Sequence, residues 1–576
     1  MNKYLLFTVV FLMITINSSS QIVYVKQNAT GLNDGTSWQN AYTNLSTAIN
    51  STSDGQIWVT AGTYFPTTDL NGQIPINPRL NTFKLKANIA IYGGFSGVET
   101  NINQRNWINH PTILSGNIGD VNVIQDNILH VLSCEYEQLT VNTILDGLTI
   151  KNGYSMSLDG GDIGNGGGIY VFQTSGGSFQ IKNCIIEENY AEGYGGGLYI
   201  SNNNPIIENS IFRNNASFSA GAMYLIYGKV IVSNCQIYNN NATGNALHWG
   251  EGGGIYLASY SETKIFNCSI SDNNAAYKGG GIYNNSNYKC TFNNNILSGN
   301  RSRDGGALFL NGESYVFNNL FADNSATSNG GAIYMAYGGN GQFINNTVVQ
   351  NTAGTSGGGL YTFGPAPNIT NSIFYSNSSP LGPQIRTYNN AGNWAPIFRY
   401  CNIEGGLANL ASFGNPIDYQ NNLDVNPLFT NTTDNNFRLQ ANSALINAGN
   451  STIFSASWPG SNMPIIYFPN TDLDGNQRIV GTIDIGAYED ISTLGIYSID
   501  NFSFSIFPNP ANGIFNITSN TDYDSLSVYN ILGIKLFETF SESGITNIDL
   551  TSYASGLYFV HFSINDKIYI YKIIKK

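Results

Sequence analysis

The sequence predicts an all-β protein: a right-handed parallel β-helix followed by a small C-terminal β-sandwich. Two interleaved repeats predict the solenoid, and a terminal run of short alternating strands predicts the sandwich. The first repeat is Gly-Gly-x-aliphatic-aromatic, or a close variant of it. It ends at Tyr170, Tyr199, Tyr224, Tyr256, Tyr283, Phe309, Tyr334 and Tyr361. Tyr170 and Tyr361 are 191 residues and seven steps apart, about 27 residues per step. That period is too long for a hairpin and suits one turn of a solenoid.

The second repeat is Asn-x-x-apolar-x-x-Asn. Its first Asn falls at Asn183, Asn209, Asn234, Asn267, Asn294, Asn318, Asn345 and Asn371. Its closing Asn falls at Asn189, Asn215, Asn240, Asn273, Asn300, Asn324, Asn351 and Asn377. The residue midway between them and the residue two before the first Asn are always apolar, as in Ile186 and Ile181. The step of two from apolar residue to first Asn places both on one face of a short strand. Coils stacked about 4.8 Å apart would align aliphatic on aliphatic and amide on amide. An amide both donates and accepts, so such a stack satisfies itself. The density of Gly and Asn is hostile to a helical repeat.

Six cysteines in an exported chain would ordinarily suggest disulfides. Here Cys184, Cys235 and Cys268 each follow a first Asn by one. Parallel, in-register side chains project side by side and are poorly aimed at one another, so free thiols are expected.

The chain has 576 residues, 42% hydrophobic, enough for a large core. Only 11% are charged, against roughly 25% in an average globular protein. The net charge of −13 argues against nucleic-acid binding, which needs a basic patch. Residues 1–20 read as an export signal: Lys3, an apolar run from Tyr4 to Ile16, then Ser18, Ser19 and Ser20. The run is short of a membrane span. Residues 21–55 are expected to cap the solenoid, with Trp38, Ala41, Tyr42, Leu45, Ala48 and Ile49 at helical spacing. Early coils are expected at Ile57–Val59, Phe83–Leu85, Ile89–Tyr92 and Ile113–Leu114. The solenoid and its closing module then occupy 56–490, a linker 491–502, and a separate domain 503–576. In that last domain strands are expected at Ser525–Tyr529, Lys535–Thr539, Asn547–Leu550, Gly556–Ser563 and Lys567–Ile574.

The early pieces IWVTAGTYFPT and IYGGFSGVET resemble the opening coils of the pectin-lyase-like β-helix superfamily. The GGAIY and FRNN pieces resemble the repeats of chlamydial polymorphic membrane proteins. NPLFTNTTDNNFRLQANSALINAGN with DLDGNQRIVGTIDIGAYE is similar to the choice-of-anchor closing module of bacterial surface β-helix proteins. SIFPNPANGIFNI, VYNILGIKLFE, ASGLYFVHF and the final YKIIKK resemble the C-terminal sorting domain of type IX secretion substrates. These resemblances imply export through the periplasm and passage across a Gram-negative outer membrane. They also imply removal of the tail by a sortase-like protease, with the product attached to surface lipopolysaccharide or released. They are specific for fold and leave activity open, since one fold hosts many functions.

Chemistry is sought where the repeat is broken. The loop from Asn241 to Glu251 is about six residues longer than its counterparts and carries His248, Trp249 and Glu251. Lengthened loops on rigid scaffolds often bear function, and equally often are tolerated insertions. The residues just before Gly-Gly include Glu251, Lys278 and Asp304 in successive coils. They should stack as acid, base, acid, the carboxylates about 9.6 Å apart. That lies at the upper edge of an inverting glycosidase pair. With Arg301 and Arg303 nearby, Lys278 alternatively resembles a lyase base. The same column also reads as a surface salt-bridge ladder. Tyr190, Tyr194, Phe218, Trp249 and Tyr277 would offer flat rings for sugars or simply cover neighbouring coils. Asp472, Asp474 and Asn476, and Asp159 with Asp162, have oxygen-ligand spacing that calcium accepts, yet Asp-Gly pairs are ordinary turn formers. No organic cofactor is implied.

Sparse ionisable groups favour a non-catalytic adhesin or glycan binder at the cell surface, its partner a polysaccharide or host glycan. The alternative is a polysaccharide lyase or glycoside hydrolase acting through Glu251, Lys278 and Asp304.

Overall fold

The computed structural model describes residues 21–157, 164–491 and 504–576, apart from 247–248, 338, 340, 365, 389–394, 414–416, 452–468, 520–522, 531–533, 541–545 and 565–566. The expected export signal, the Asp159–Asp162 cluster, nearly all of the linker and His248 lie outside the described residues. The chain divides into two compact units, Met1–Ile491 and Ser492–Lys576.

The first unit is a parallel β-helix with four short strands per coil. One coil runs through Gln180–Lys182, Ile185–Glu187, Tyr190–Tyr194 and Leu198–Asn203, and each strand joins a different sheet. The first sheet has 14 strands, from Ile22–Val25 to Asp418–Gln420. The second and fourth have 12 strands each, and the third has eight, from Tyr154–Ser155 to Thr352–Ala353. The third sheet begins one coil before Asn183 and otherwise follows the Asn-x-x-apolar-x-x-Asn repeat.

The repeat encodes the bends. Asn183 has φ 51° and Glu188 φ 56°, and their equivalents down the stack are also left-handed. Asn, with a short polar side chain, tolerates that region. The third bend takes the first glycine of each Gly-Gly pair, such as Gly279 at φ 62°. The second glycine serves close approach: a Cβ on Gly280 would sit 2.3 Å from the Gly306 carbonyl oxygen of the next coil.

The apolar ladders stack as expected. Ile186, Phe212, Ile237, Ile270, Leu297, Phe321, Val348 and Phe374 pair in unbroken register. The closing Asn residues form a buried amide ladder, each Nδ2 donating to the next Oδ1 at 2.9–3.0 Å from Asn189 to Asn377.

The first Asn behaves differently from expectation. It does not share a strand face with the preceding apolar residue, because its left-handed backbone turns the chain there. The residue after it points inward instead, and that row forms the second internal polar ladder. Cys268 N–H donates to Asn295 Oδ1, Asn295 to Asn319 and Asn319 to Asn346. Cys184, Cys235 and Cys268 occupy this row, and all six cysteines are free and buried.

The outward first-Asn row docks the closing module. Asn294 Nδ2 donates to the Asp472 carbonyl at 2.9 Å, and Asn318 to Thr471 at 2.9 Å. Asn345 donates to Asp484 and Gly486, and Asn371 to Asn450. The outward residues Leu320, Ala322, Val349 and Ile373 of the second sheet are buried at the same coils. These pack against Phe437, Leu445, Ile485, Ala487 and Tyr488 of the module.

The N-terminal cap is shorter than its apolar spacing suggests. The helix spans Leu45–Ser51, capped by Asn44, and buries Leu45, Ala48 and Ile49. Trp38 instead joins an aromatic cluster with Tyr24, Trp58 and Phe95. Tyr42 continues the edge of the first sheet, opposite Val25. Among the described residues no helix is long and apolar enough to cross a membrane.

The second unit has a three-stranded and a four-stranded antiparallel sheet. Phe515, Ile517 and Ile548 from one share a core with Leu526, Val528, Val560 and Phe562 from the other.

Candidate functional site

The bend between the third and fourth sheets brings the expected column together. Glu251, Lys278 and Asp304 lie in parallel bridges in consecutive coils. Lys278 Nζ is 3.2 Å from Glu251 Oε1. The same ammonium sits 4.8 Å from the Tyr277 ring centre, 5.4 Å from Tyr283 and 5.3 Å from Phe309. Three rings and a carboxylate surround it. Asp304 is nearly buried; its Oδ1 accepts from the Asn329 backbone N–H and Nδ2 at 3.1 and 3.2 Å. Arg303 Nε lies 3.7 Å from Asp304 Oδ2. Acid and base are thus committed to protein partners, and their geometry is that of a cross-coil brace.

The expected aromatic residues fall into two pairs and a separate tyrosine. Tyr190 stacks on Tyr154 at 4.9 Å and meets Phe218 edge-on at 6.3 Å. Burial raises the Tyr190 phenol to about 12. Trp249, 66% exposed, lies 4.9 Å from Tyr277, and the Arg303 guanidinium covers Tyr277 at 4.9 Å. Tyr194 packs instead on Tyr224 at 4.4 Å. Arg301 is exposed on the third sheet, between Asn274 and Ser325.

Beyond these, the aromatic residue of every Gly-Gly repeat points outward on the fourth sheet. Tyr170, Tyr199, Tyr224, Tyr256, Tyr283, Phe309, Tyr334 and Tyr361 form one stack, successive ring centres 4.5–5.4 Å apart. A second strip, Tyr227, Tyr260 and Tyr288, runs beside it with 5.7 Å spacing, each about half exposed. The repeat predicts the first strip by position. The second comes from loops of unequal length after the motif and has no fixed spacing.

The Asp472 cluster is a turn. Asp472 Oδ1 accepts from the Asp474 and Asn476 backbone N–H groups, and Oδ2 from Asn476 Nδ2 and the Glu489 N–H. Asp474 is held by Arg438 through both oxygens. The lone pairs a calcium ion would need are engaged by N–H donors, so this donor set fits a cation poorly. Among the described residues no group of three or more His, Cys, Asp or Glu could hold a metal.

Residues 146–321 match the family described as right handed beta helix region, and residues 505–576 match the secretion system C-terminal sorting domain. The solved structure of pectate lyase Pel9A is similar at 17% identity, covering 82% of this chain and 97% of that one, with a TM-score of 0.36. At that level neither fold detail nor activity transfers. Among curated proteins none matches. The molecule is a right-handed parallel β-helix with a secretion system C-terminal sorting domain. It is a secreted or surface-attached protein.

Proposed function

We propose that this is a non-catalytic adhesin or glycan-binding protein, presenting the ring-lined bend between the third and fourth sheets. The observation that carries this reading is the Glu251–Lys278 pair. A lysine packed between a carboxylate and three rings is occupied by protein partners, and acid–base chemistry needs groups free to meet a substrate. Trp249, Tyr277 and Arg303 supply an exposed, polar-edged aromatic surface of the sort that sugar rings stack on. The sorting domain supports delivery of that surface to the cell exterior, with the tail removed by a sortase-like protease.

The test is incubation of the purified protein with a polysaccharide panel, scoring retention and new reducing ends together. Retention without cleavage, reduced at least tenfold by Trp249→Ala with Tyr277→Ala (about 1.4 kcal/mol), is expected. Depolymerisation abolished by Lys278→Ala would replace this reading with a lyase or hydrolase.

A further inference from the structure

The second ring strip sits where the fourth sheet turns into the first, at a corner whose backbone suits asparagine better than tyrosine. Tyr227 follows the strand Met223–Ile226 and Tyr260 precedes the strand Ser261–Phe266, with φ 56° and 58°. That left-handed region is uncommon for any side chain and a marked exception for a bulky one. One coil earlier the chain turns at Asn202, φ 60°, just after the Ser201–Ile226 rung. Asn enters this region more readily. Burial does not offset the strain, because Tyr227, Tyr260 and the neighbouring Tyr288 are each about half exposed. A residue that strains the backbone and stands half outside the fold points to contact with something else.

The three rings form one narrow line across consecutive coils, with centres 5.7 Å apart at both steps. Its first-sheet flank is a column of alternating charge. Lys229 pairs with Glu262 at 3.0 Å and Lys289 with Glu313 at 3.1 Å, so the column is neutral as a whole. On the fourth-sheet flank, Asn311 Nδ2 donates to Asn285 Oδ1 at 2.7 Å. The first-sheet strands that leave the corner, Gly228–Ser233 and Ser261–Phe266, are each paired with a neighbour on both sides.

We infer that this corner binds a neutral, unbranched polysaccharide laid along the solenoid axis, one stretch of chain touching Tyr227, Tyr260 and Tyr288 together. The line is one ring wide, too narrow for the roughly 800 Å² that a globular partner covers, and it runs as a linear polymer would. With no free strand edge it cannot pair with the backbone of an extended peptide. A charge column that sums to zero gives an acidic polymer no net attraction. Each phenol supplies a flat, rigid ring for the C–H faces of sugars and a hydroxyl that both donates and accepts. The inference shares only its ligand class with the reading above. Trp249 lies across the fourth sheet, at the bend from the third.

The experiment titrates the full-length exported protein with cellohexaose, xylohexaose and mannohexaose, with the matching disaccharides, and with hexagalacturonate. The central variant combines Tyr227→Asn with Tyr260→Asn, placing at both turns the residue type that turns the chain at position 202. A neutral hexaose should bind, and its disaccharide about tenfold more weakly or worse, because fewer rings are engaged at once. The double variant should lose about tenfold in hexaose affinity while its melting temperature holds or rises. Trp249→Ala should leave hexaose affinity within about twofold. A lower melting temperature in the double variant would make the tyrosines structural and overturn the inference. So would hexagalacturonate binding as tightly as any neutral chain. Hexaose binding that Trp249→Ala abolishes and the double variant leaves intact also overturns it, and the Trp249 surface then stands alone. Dimerisation in sedimentation velocity that the double variant removes, without sugar binding, would assign the strip to a second copy instead. Binding of none of these probes overturns the inference and leaves the Trp249 surface to its own polysaccharide panel.

Discussion

Asn324 shows what one side chain does in this scaffold. Its Nδ2 donates to Leu297 O, Ala322 O and Asn351 Oδ1, and its Oδ1 accepts from the backbone N–H and Nδ2 of Asn300. Every atom of the amide is used, in an interior where an unpaired polar group is costly. Asn324→Ala strips partners from two neighbours, so a loss of about 2–4 kcal/mol is expected in denaturant titration of the β-helix transition. The thiols make the opposite case. Burial pushes Cys184 and Cys401 up to about 12, where thiolate is absent at neutral pH. Mass spectrometry after alkylation should find none of the six cysteines modified in the native protein. In denaturant without reductant it should find six. Fewer than six would mean that disulfides exist.

At the level of elements, the closing module is organised around a buried charge cluster of its own, besides the apolar face it packs on the solenoid. Arg478 is fully buried and donates to the Asp484 and Gly486 carbonyls, with Glu489 3.9 Å away. Arg478→Met leaves Glu489 and Asp484 buried without their cation and should cost about 3–5 kcal/mol of module stability. Burial raises Glu489 from 4.5 to about 7, more than Arg478 lowers it, and raises Asp484 as well. Between those two values the folded module holds a proton that the unfolded chain has released. This group's contribution to stability therefore falls as pH rises from about 4.5 to 7. Melting curves of the native protein and of Glu489→Gln, compared at pH 5 and pH 8, should show the variant gaining relative to the native protein at the higher pH. A difference of opposite sign would remove burial as the cause.

Across the whole molecule, the solenoid and the tail each have a core of their own. Separately cored units unfold separately unless a large interface couples them. Differential scanning calorimetry of the full chain should resolve two transitions. Deleting residues 492–576 should remove one of them and leave the other within about 2 °C. The solenoid transition should be broad for its size, because each coil contacts chiefly its neighbours.

The sequence alone determined the coil, its period and the identity of its ladders. Those depend on local spacing repeated in register, which one chain displays to the eye. It also placed Glu251, Lys278 and Asp304 in one column, and located the sandwich strands within a residue or so. What tertiary structure decided is of another kind. Whether Asn183 and its equivalents lie in a strand or a left-handed bend is a backbone choice that composition leaves open. That their side chains hold the closing module depends on contacts such as Asn294 to Asp472, 178 residues apart. The partners of the charge column, Asn329 on Asp304 and Tyr283 and Phe309 around Lys278, come from neighbouring coils and depend on tertiary structure. That the ring stack is continued by His130 on Tyr170 is likewise a tertiary matter, because His130 stands outside the repeat.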